Sequence, residues 1–284
     1  MTAQIINGKE LAYQLRMKMK EEVSTLKNEG IIPHLTVVLV GDNPASKSYV
    51  NGKKRASSET NISSEIIELP VETTEEELLN VIERLNNDQK VHGILVQLPL
   101  PEHIQEQKII EAIRPEKDVD GFHPINIGRM MTGQDTLLPC TPYGIIKMLQ
   151  ENNIQIEGKH AVIIGRSNIV GKPVGQLLLN ENATVTYCHS RTKNLKEITN
   201  QADILIVAIG IPNVITAEHV KDGAVVIDVG INRLDDGSLT GDVNFDSALT
   251  KAAYITPVPK GVGPMTIAML LENTIKAAKG LAHS

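Results

Sequence analysis

The spacing of apolar residues near the start of the chain predicts an amphipathic helix over residues 9 to 28, ended by Gly30. The apolar stripe of this helix is formed by Leu11, Leu15, Met19, Val23 and Leu26. An uninterrupted apolar run then follows at residues 35 to 40, which is typical of a strand that is buried on both faces. The chain therefore begins with a surface helix followed by an interior strand.

The same alternation continues through the first half of the chain. A helix is predicted from about 46 to 59 and a strand from 65 to 69. Thr74 and Glu77 form a capping box pattern before a helical run at 78 to 85. A further strand at 93 to 98 is halted by Pro99 and Pro101. Alternating strands and helices predict an α/β domain with a mainly parallel sheet.

A second α/β series is predicted after a helix at about 142 to 152. Its strands are expected near 160 to 164, 184 to 188, 203 to 209 and 224 to 229, with a short extended piece at 254 to 258. Residues 114 to 140 carry turn formers and little periodicity, so the domain junction is expected there. A final helix at about 264 to 279 can pack on either domain, and its pattern does not decide between them.

Composition agrees with this reading and excludes some functions. With 284 residues, 41% of them hydrophobic, the chain is long enough for two domains of usual size, although one large domain is not excluded. Aromatic residues make up only 2%, so the cores must be aliphatic and a base-stacking surface is not expected. A net charge of -6 without a basic block gives no footprint for nucleic acid or an anionic membrane.

Targeting, redox and metal signals are weak. The first residues lack an apolar signal core, and no apolar stretch reaches the roughly 18 residues that a membrane span needs, so a cytoplasmic protein is expected. Cys140 and Cys188 lie far apart and are expected to be buried or semi-buried thiols without a disulfide. The eight His residues form no metal-binding spacing, so no metal site is predicted.

Residues 161 to 173 combine an apolar strand, a polar turn at Gly165, Arg166 and Ser167, and a helix start at Gly171. This order places backbone N–H groups and a helix N-terminus where a pyrophosphate can bind. The pattern departs from G-x-G-x-x-G, because Ser167 replaces the second glycine and the third is displaced to Gly171. The pattern alone leaves nucleotide binding and an ordinary strand-to-helix turn equally open.

The end of the next strand favours one cofactor. An NAD site of this fold usually has an acid there to hold the ribose 2′-hydroxyl. Here the strand ends in Cys188, His189, Ser190 and Arg191. A hydroxyl and a cation suit a 2′-phosphate, so NADP is predicted over NAD. Ser190 and Arg191 as solvated turn residues remain the alternative.

Four further polar residues are candidates for chemistry. Tyr49 and Lys53 are four apart on a predicted helix and share one face, although such pairs are usually ordinary surface residues. Gln97 ends a predicted strand at the edge where α/β proteins bind ligands. Asp120 lies in the predicted junction. Each is weak evidence by itself, because a lone Gln or Asp is usually structural.

Taken together, the motifs resemble the bifunctional methylenetetrahydrofolate dehydrogenase/cyclohydrolase family over the whole chain. Five segments in the right order carry the resemblance: SYVNGKK at 48–54, GILVQLPLP at 93–101, KDVDG at 117–121, GRSNIVGKP at 165–173 and TPVPKGVGPMT at 256–266. The resemblance implies NADP-dependent oxidation of 5,10-methylenetetrahydrofolate and hydrolysis of the methenyl product to 10-formyltetrahydrofolate. It also implies a place in one-carbon metabolism that serves purine biosynthesis.

The resemblance also implies roles for particular residues. Tyr49 packs on the aminobenzoyl ring of the folate, Lys53 is the catalytic lysine, Gln97 is its hydrogen-bonding partner, and Asp120 accepts from the amino edge of the pterin. Leu98, Gly261, Gly263 and Pro264 complete the expected folate site between the domains. The expected NADP contacts are Gly165, Arg166, Ser167, Ser190 and Ile231.

The domain limits follow the same resemblance. Residues 1–139 are expected to form the folate-binding catalytic domain, with a C-terminal helix at about 264–284 packing back on it, and 140–263 the Rossmann-like NADP domain. A homodimer through the NADP domain is expected. One departure is visible, because Lys260 stands where the family usually has the first glycine of a Gly-Gly pair.

Chemistry sets a condition on the catalytic lysine. A free Lys with a pKa near 10.4 is neutral only about once in 2500 at pH 7, so Lys53 needs a lowered pKa to act as a base. Three alternatives stay open: a monofunctional NADP-dependent dehydrogenase, a two-domain amino-acid or shikimate-type dehydrogenase, and a non-catalytic nucleotide-sensing module. The second would lack Tyr49, Lys53, Gln97 and Asp120 as a group.

Overall fold

The computed structural model describes residues 3–282 and divides into two compact units. The six-stranded unit consists of residues 3–12 together with Thr141–Thr266. The three-stranded unit consists of Tyr13–Cys140 together with residues 267–282. Both contain a parallel sheet with helices, so the predicted two-domain α/β class is confirmed.

The strands are β1 (Gln4–Ile5), β2 (His34–Val40), β3 (Ser63–Leu69), β4 (Gly93–Val96), β5 (His160–Ile164), β6 (Thr184–Cys188), β7 (Ile204–Val207), β8 (Val225–Asp228), β9 (Asn232–Arg233), β10 (Leu239–Thr240) and β11 (Tyr254–Ile255). The helices are α1 (Gly8–Asn28), α2 (Pro44–Glu59), α3 (Glu75–Asn87), α4 (Glu106–Ala112), α5 (Pro124–Met131), α6 (Cys140–Glu151), α7 (Gly171–Asn180), α8 (Leu195–Thr199), α9 (Phe245–Ala248) and α10 (Val262–Ala282). Single 3-10 turns occupy Pro115–Lys117 and Ala217–His219.

The sheet of the three-stranded unit has the order β3-β2-β4, with every pair parallel. Its central strand β2 is buried along almost its whole length, as its apolar run predicts. Helix α3 covers the sheet with Leu78 and Ile82, both fully buried. The predicted capping box at its start is confirmed, because the Thr74 hydroxyl accepts from the Glu77 amide and the Glu77 carboxylate accepts from the Thr74 amide.

The sheet of the six-stranded unit has the order β1-β11-β8-β7-β5-β6, and all its strands run parallel. Its inner strands β5, β7 and β8 are nearly continuous aliphatic runs, because both faces of a parallel sheet are covered. The turn after β5 and the ends of β6, β7 and β8 lie at one edge of the sheet. This carboxyl edge is where doubly wound proteins bind their ligands.

The start of the chain departs from the predicted division at residue 139. Gln4 and Ile5 pair with Tyr254 and Ile255 at the border of the six-stranded sheet. A strand of two residues is too short to produce a readable period, so the pattern could not reveal it. From Ile267 onward, α10 belongs to the three-stranded unit, where the Asn273 side chain donates to the carbonyls of Val119 and Leu138 at 2.9 and 2.8 Å.

Candidate active site

The three-stranded unit brings Lys53 and Gln97 together. Lys53 lies on α2, and its Nζ donates to Gln97 Oε1 at 2.8 Å. Gln97 follows β4, where its backbone amide donates to the Val38 carbonyl at 2.8 Å and its side-chain Nε2 donates to the Leu98 carbonyl at 2.7 Å. The amide oxygen of Gln97 is thereby fixed toward the amine.

Burial changes the acid–base properties of Lys53. The residue is only 9% exposed, although it lies on a polar helix. This burial lowers its pKa, because desolvation penalises the ammonium form, while the negative charge of Asp120 opposes the shift. A larger fraction of neutral amine is therefore present than in a solvated lysine. That is the condition that a general base requires.

A buried loop presents Asp120 to the same site. The Asp118 carboxylate accepts hydrogen bonds from the amides of Gly121 and His123, at 3.2 and 2.7 Å, and from Asn126 Nδ2 at 2.9 Å. Gly121 has a φ of 77°, and a Cβ there would lie 2.4 Å from the Leu138 carbonyl carbon. Only glycine fits this turn, which fixes the position of Asp120.

Asp120 itself has a perturbed pKa. Burial raises it to about 6, with the charge of Lys53 lowering it and the charge of Asp118 raising it. The carboxyl is therefore mostly ionised at neutral pH and able to accept hydrogen bonds from a ligand. The adjacent Cys140 thiol donates to the Val119 carbonyl at 3.2 Å, and burial raises its pKa well above the usual range, so it stays protonated.

Tyr49 and Leu98 complete the polar group in this unit. Tyr49 is one helical turn before Lys53 on α2, and 43% of it is exposed, which leaves its ring free to pack on a planar ligand. Leu98 directly follows Gln97 and is partly buried. The structure therefore places five predicted folate residues in the three-stranded unit, with Lys53 and Gln97 in direct contact.

The turn after β5 and the start of α7 form a site at Gly165, Ser167 and Gly171 that we call the cradle. Gly165 has a φ of 131°, and a Cβ there would lie 2.3 Å from the Ala208 carbonyl oxygen. A Cβ on Gly171 would lie 2.6 Å from the Gly165 carbonyl oxygen. Ser167 Oγ accepts from the amides of Val170 and Gly171, both at 3.2 Å, at the start of α7. The tight glycine turn and the helix N-terminus fit a pyrophosphate.

The end of β6 joins this cradle. The Gly165 amide donates to the Cys188 carbonyl at 2.9 Å, so the residues after Cys188 lie beside the turn. Arg166 and Ser190 are both exposed. The segment that follows β6 is held by the His189 amide, which donates to Thr192 Oγ1 at 2.8 Å, and it carries no carboxylate. A 2′-phosphate suits this edge better than a free ribose hydroxyl.

The remaining predicted contacts also lie in the six-stranded unit. Ile231 follows β8 and is exposed. Gly261, Gly263 and Pro264 surround the start of α10. A Cβ on Gly261 would lie 2.4 Å from the Pro257 carbonyl oxygen, which explains the glycine. The predicted folate residues therefore lie in both units. Gly261, Gly263 and Pro264 belong to the six-stranded unit, which also carries the cofactor cradle.

Lys260 adopts a backbone conformation that favours glycine. Its φ is 86°, and its carbonyl accepts from the Lys9 amide at 3.0 Å. An L-residue in the left-handed region costs roughly 1 to 2 kcal/mol relative to an ordinary conformation. The glycine expected at this position from the family pattern therefore has a local steric reason, and the side chain present here carries strain.

We expect Lys260→Gly to stabilise the protein by up to about 1 kcal/mol, since relief of strain exceeds the added entropy of the unfolded chain. The measurement is the midpoint of urea unfolding. Lys193→Gly is the matched control, because Lys193 is also an exposed loop lysine but has no positive φ. The control should lose stability, and a loss in both variants would contradict strain at Lys260.

Two contributors to the site are absent from the sequence prediction. Asp118 organises the loop before Asp120, and Asn273 on α10 holds the carbonyls of Val119 and Leu138. The Asp-x-x-Gly spacing of Asp118 and Gly121 is a turn signal that could have revealed the first. Asn273 has no local signal, because its partners are more than a hundred residues away.

A metal site and a membrane-spanning helix are both absent from residues 3–282. No group of three or more His, Cys, Asp or Glu side chains is arranged to hold a metal ion. No described helix combines the length and apolarity needed to cross a bilayer. Cys140 and Cys188 are free, buried thiols.

The fold and the two sites define a class of protein: an α/β enzyme with a dinucleotide cradle in one unit and, in the other, a buried Lys53 grouped with the partly buried Gln97 and Asp120. Family models specify it further. The tetrahydrofolate dehydrogenase/cyclohydrolase catalytic domain matches residues 6–120, and the NAD(P)-binding domain of the same family matches 139–282. This chain belongs to the tetrahydrofolate dehydrogenase/cyclohydrolase family.

Individual relatives are similar to this chain over almost its whole length. The bifunctional protein FolD of Oceanobacillus iheyensis is 70% identical over 279 residues, which cover 98% of each chain. The crystal structure of bifunctional FolD from Campylobacter jejuni is 52% identical, with a TM-score of 0.96 over 98% of this chain and 99% of that one. FolD from Trypanosoma brucei, solved with NADP and an inhibitor, is 38% identical with a TM-score of 0.95 over the full length of both.

Proposed function

We propose that this protein oxidises 5,10-methylenetetrahydrofolate to the 5,10-methenyl form with NADP and then hydrolyses that product to 10-formyltetrahydrofolate. The observation that carries the proposal is the buried Lys53 amine held 2.8 Å from the Gln97 amide oxygen, near the carboxyl of Asp120. Membership of a family named for both reactions supports two activities in one chain. A monofunctional dehydrogenase has less support.

Asp120 and Tyr49 are proposed to bind the folate. An ionised carboxyl accepts hydrogen bonds from two adjacent N–H groups on the pterin edge, and the exposed Tyr49 ring packs on the aminobenzoyl group. These contacts orient the methylene carbon. Bound NADP supplies the hydride acceptor, and loss of hydride from the methylene bridge needs positioning rather than a protein base.

Lys53 is proposed to act in the second reaction. Its neutral amine takes a proton from the water that attacks the methenyl carbon, which leaves a hydroxyl group on that carbon. One carbon–nitrogen bond then breaks as the hydroxyl loses its proton to solvent and becomes the formyl oxygen. The Lys53 ammonium returns its proton to the leaving nitrogen, and the formyl group stays on the other nitrogen. Gln97 orients the amine through the 2.8 Å hydrogen bond. The positive charge of the methenyl substrate lowers the pKa of Lys53 further, in the same direction as burial.

The cradle at Gly165, Ser167 and Gly171 is proposed to hold the pyrophosphate of NADP, with Arg166 and Ser190 at the 2′-phosphate and Ile231 contacting the cofactor. In this proposal the six-stranded unit is the NADP domain and the three-stranded unit is the folate domain. The absence of a carboxylate beside Ser190 supports NADP over NAD.

A spectrophotometric assay tests the proposal. Methylenetetrahydrofolate is supplied with NADP or NAD, and reduced nicotinamide and the methenyl product are followed separately. Methenyltetrahydrofolate is then supplied alone, and its decay is corrected for spontaneous hydrolysis. Both activities are expected. Reduction of NADP with decay at the spontaneous rate would identify a monofunctional dehydrogenase, and no activity on any folate would overturn the proposal.

We expect loss of Arg166 to separate the two cofactors. A charge-assisted hydrogen bond contributes roughly 1.5 to 3 kcal/mol, so Arg166→Ala should weaken NADP about tenfold or more and leave NAD nearly unchanged. Lys193→Ala, in the exposed segment after β6, is the control. The measurement is the dissociation constant of each cofactor. Equal weakening of NADP and NAD binding would show that Arg166 does not bind the 2′-phosphate.

The protein is further proposed to be a cytoplasmic homodimer that supplies formyl groups for purine biosynthesis. Strand β6 forms one border of the six-stranded sheet. Tyr187 on this strand and Leu179 on the adjoining helix α7 are large apolar residues that are exposed. Light scattering of the purified protein tests the dimer. A monomeric mass across the micromolar range would overturn it.

A further inference from the structure

Two buried carboxylates lie together at the carboxyl edge of the six-stranded sheet. Asp228 ends β8 and is 3% exposed, and Asp242 follows β10 and is fully buried. Asp228 Oδ1 accepts from the Asp242 amide at 3.0 Å, and Asp228 Oδ2 accepts from the Val243 amide at 2.9 Å. Burying a charge is costly unless hydrogen bonds or an opposite charge compensate it.

Asp242 connects two loops that leave neighbouring strands. Its Oδ2 accepts from the amides of Ile209 and Gly210, just after β7, at 2.7 and 2.9 Å. Its Oδ1 accepts from Asn232 Nδ2, after β8, at 2.9 Å. One carboxylate therefore fixes the distance between the segment at 209–210 and the segment at 230–232, which carries the exposed Ile231.

The surrounding backbone is shaped for this pair. A Cβ on Gly230 would lie 2.2 Å from Asp242 Oδ1, and a Cβ on Gly241 would lie 1.8 Å from Asp228 Oδ2. Asp228 also accepts from the Gly230 amide at 3.0 Å. Backbone N–H groups and the Asn232 side chain donate to the two carboxylates, so the geometry of the carboxylates is set by the loops.

The position of the loops indicates which part of a dinucleotide they face. The pyrophosphate cradle follows β5, and the 2′-phosphate edge follows β6 on one side of it. Strands β7 and β8 lie on the opposite side of β5 in the sheet order. A dinucleotide extended along the carboxyl edge therefore has its nicotinamide end over the loops after β7 and β8.

We propose that Asp242, held in place by Asp228, is a positioning residue for the nicotinamide half of NADP. It fixes the loops at 209–210 and 230–232 so that Ile231 is presented to the cofactor. This inference rests on the proposed function. It assigns a role to a residue that does not itself touch the cofactor, and it predicts a defect confined to the cofactor side of the enzyme.

The test is Asp242→Asn, which removes the charge and turns one acceptor into a donor that must face another N–H group. The dissociation constant of NADP, measured by titration calorimetry without folate, should rise about tenfold or more. The KM for NADP should rise with it. Hydrolysis of methenyltetrahydrofolate in the absence of NADP should stay within about twofold of the unmodified rate, because Lys53 lies in the other unit.

Two further variants keep the proposal falsifiable. Asp235→Asn changes an exposed acid in the turn between β9 and β10 and should alter nothing. Asn232→Ala removes only the side-chain donor and should raise the NADP dissociation constant in the same direction, less strongly, even if Asp242→Asn does not fold. Unchanged NADP affinity in Asn232→Ala and in folded Asp242→Asn, or parallel loss of hydrolysis, would overturn the proposal. Failure of the unmodified protein to bind NADP would instead refute the proposed function.

Discussion

Lys53→Met should lower the rate of methenyltetrahydrofolate hydrolysis by roughly 10² to 10⁴, which is the range contributed by a general base. Methionine keeps most of the aliphatic stem but has no amine to accept a proton or to donate to Gln97. Hydride transfer needs only the correct placement of the methylene carbon, so dehydrogenase activity should fall much less. Methenyl product should therefore accumulate while NADP is reduced.

The two rates are followed in one reaction through methenyl absorbance and reduced NADP, with correction for spontaneous hydrolysis. Lys54→Met is the matched control, since Lys54 is the next residue on α2 but is exposed. It should leave both activities intact. If Lys53→Met hydrolyses the methenyl substrate at the unmodified rate, Lys53 is not the base, and another group must activate the water.

Loss of Asp120 should weaken folate binding by roughly 10² or more and damage both activities. Two hydrogen bonds from the pterin edge to a carboxylate contribute roughly 1.5 to 3 kcal/mol each, and each 1.4 kcal/mol corresponds to a factor of ten. Asp120→Ala removes both acceptors. Glu116→Ala is the control, because Glu116 is an exposed acid in the 3-10 turn just before the loop. The measurement is the dissociation constant of a folate ligand for Asp120→Ala, Glu116→Ala and the unmodified protein.

The pKa of Asp120 adds a pH signature to this prediction. Because burial raises that pKa to about 6, the carboxyl is charged above this value and neutral below it. Folate affinity should therefore decrease as the pH falls through about 6, since a neutral acid is a weaker acceptor. Asp120→Asn cannot ionise and should lose this dependence. A dependence that persists in Asp120→Asn, or intact affinity in a folded Asp120→Ala protein, would contradict the assignment.

Local patterns in the sequence determined much of the fold. Strand β2 was predicted from its apolar run, and the start of α3 from the spacing of Thr74 and Glu77, because burial and capping leave their signature within a few residues. The signature of a two-residue strand is too short to read, so the pattern did not reveal β1. Its place depends on pairing with β11, some 250 residues later in the chain.

The candidate site also combines features that local sequence patterns indicate with features that only the folded chain provides. The sequence motifs named Lys53, Gln97 and Asp120, but the pattern alone gave each of them only the weight of an ordinary surface or structural residue. The contact between Lys53 and Gln97 joins a helix to a strand end 44 positions away. No local pattern encodes such a distance, and the burial that lowers the pKa of Lys53 comes from residues of several elements.

The sequence by itself determined the class of fold, the glycine turn after β5 and the absence of an acid beside Ser190, since these depend on neighbouring residues. The tertiary structure alone decided where β1 and α10 pack, that Asn273 holds the loop before Asp120, and that Asp242 joins two loops. The physical reason is that capping, turns and strand burial act over one or two turns of chain. Desolvation and carboxylate bridging act through space, between groups that only the folded chain brings together.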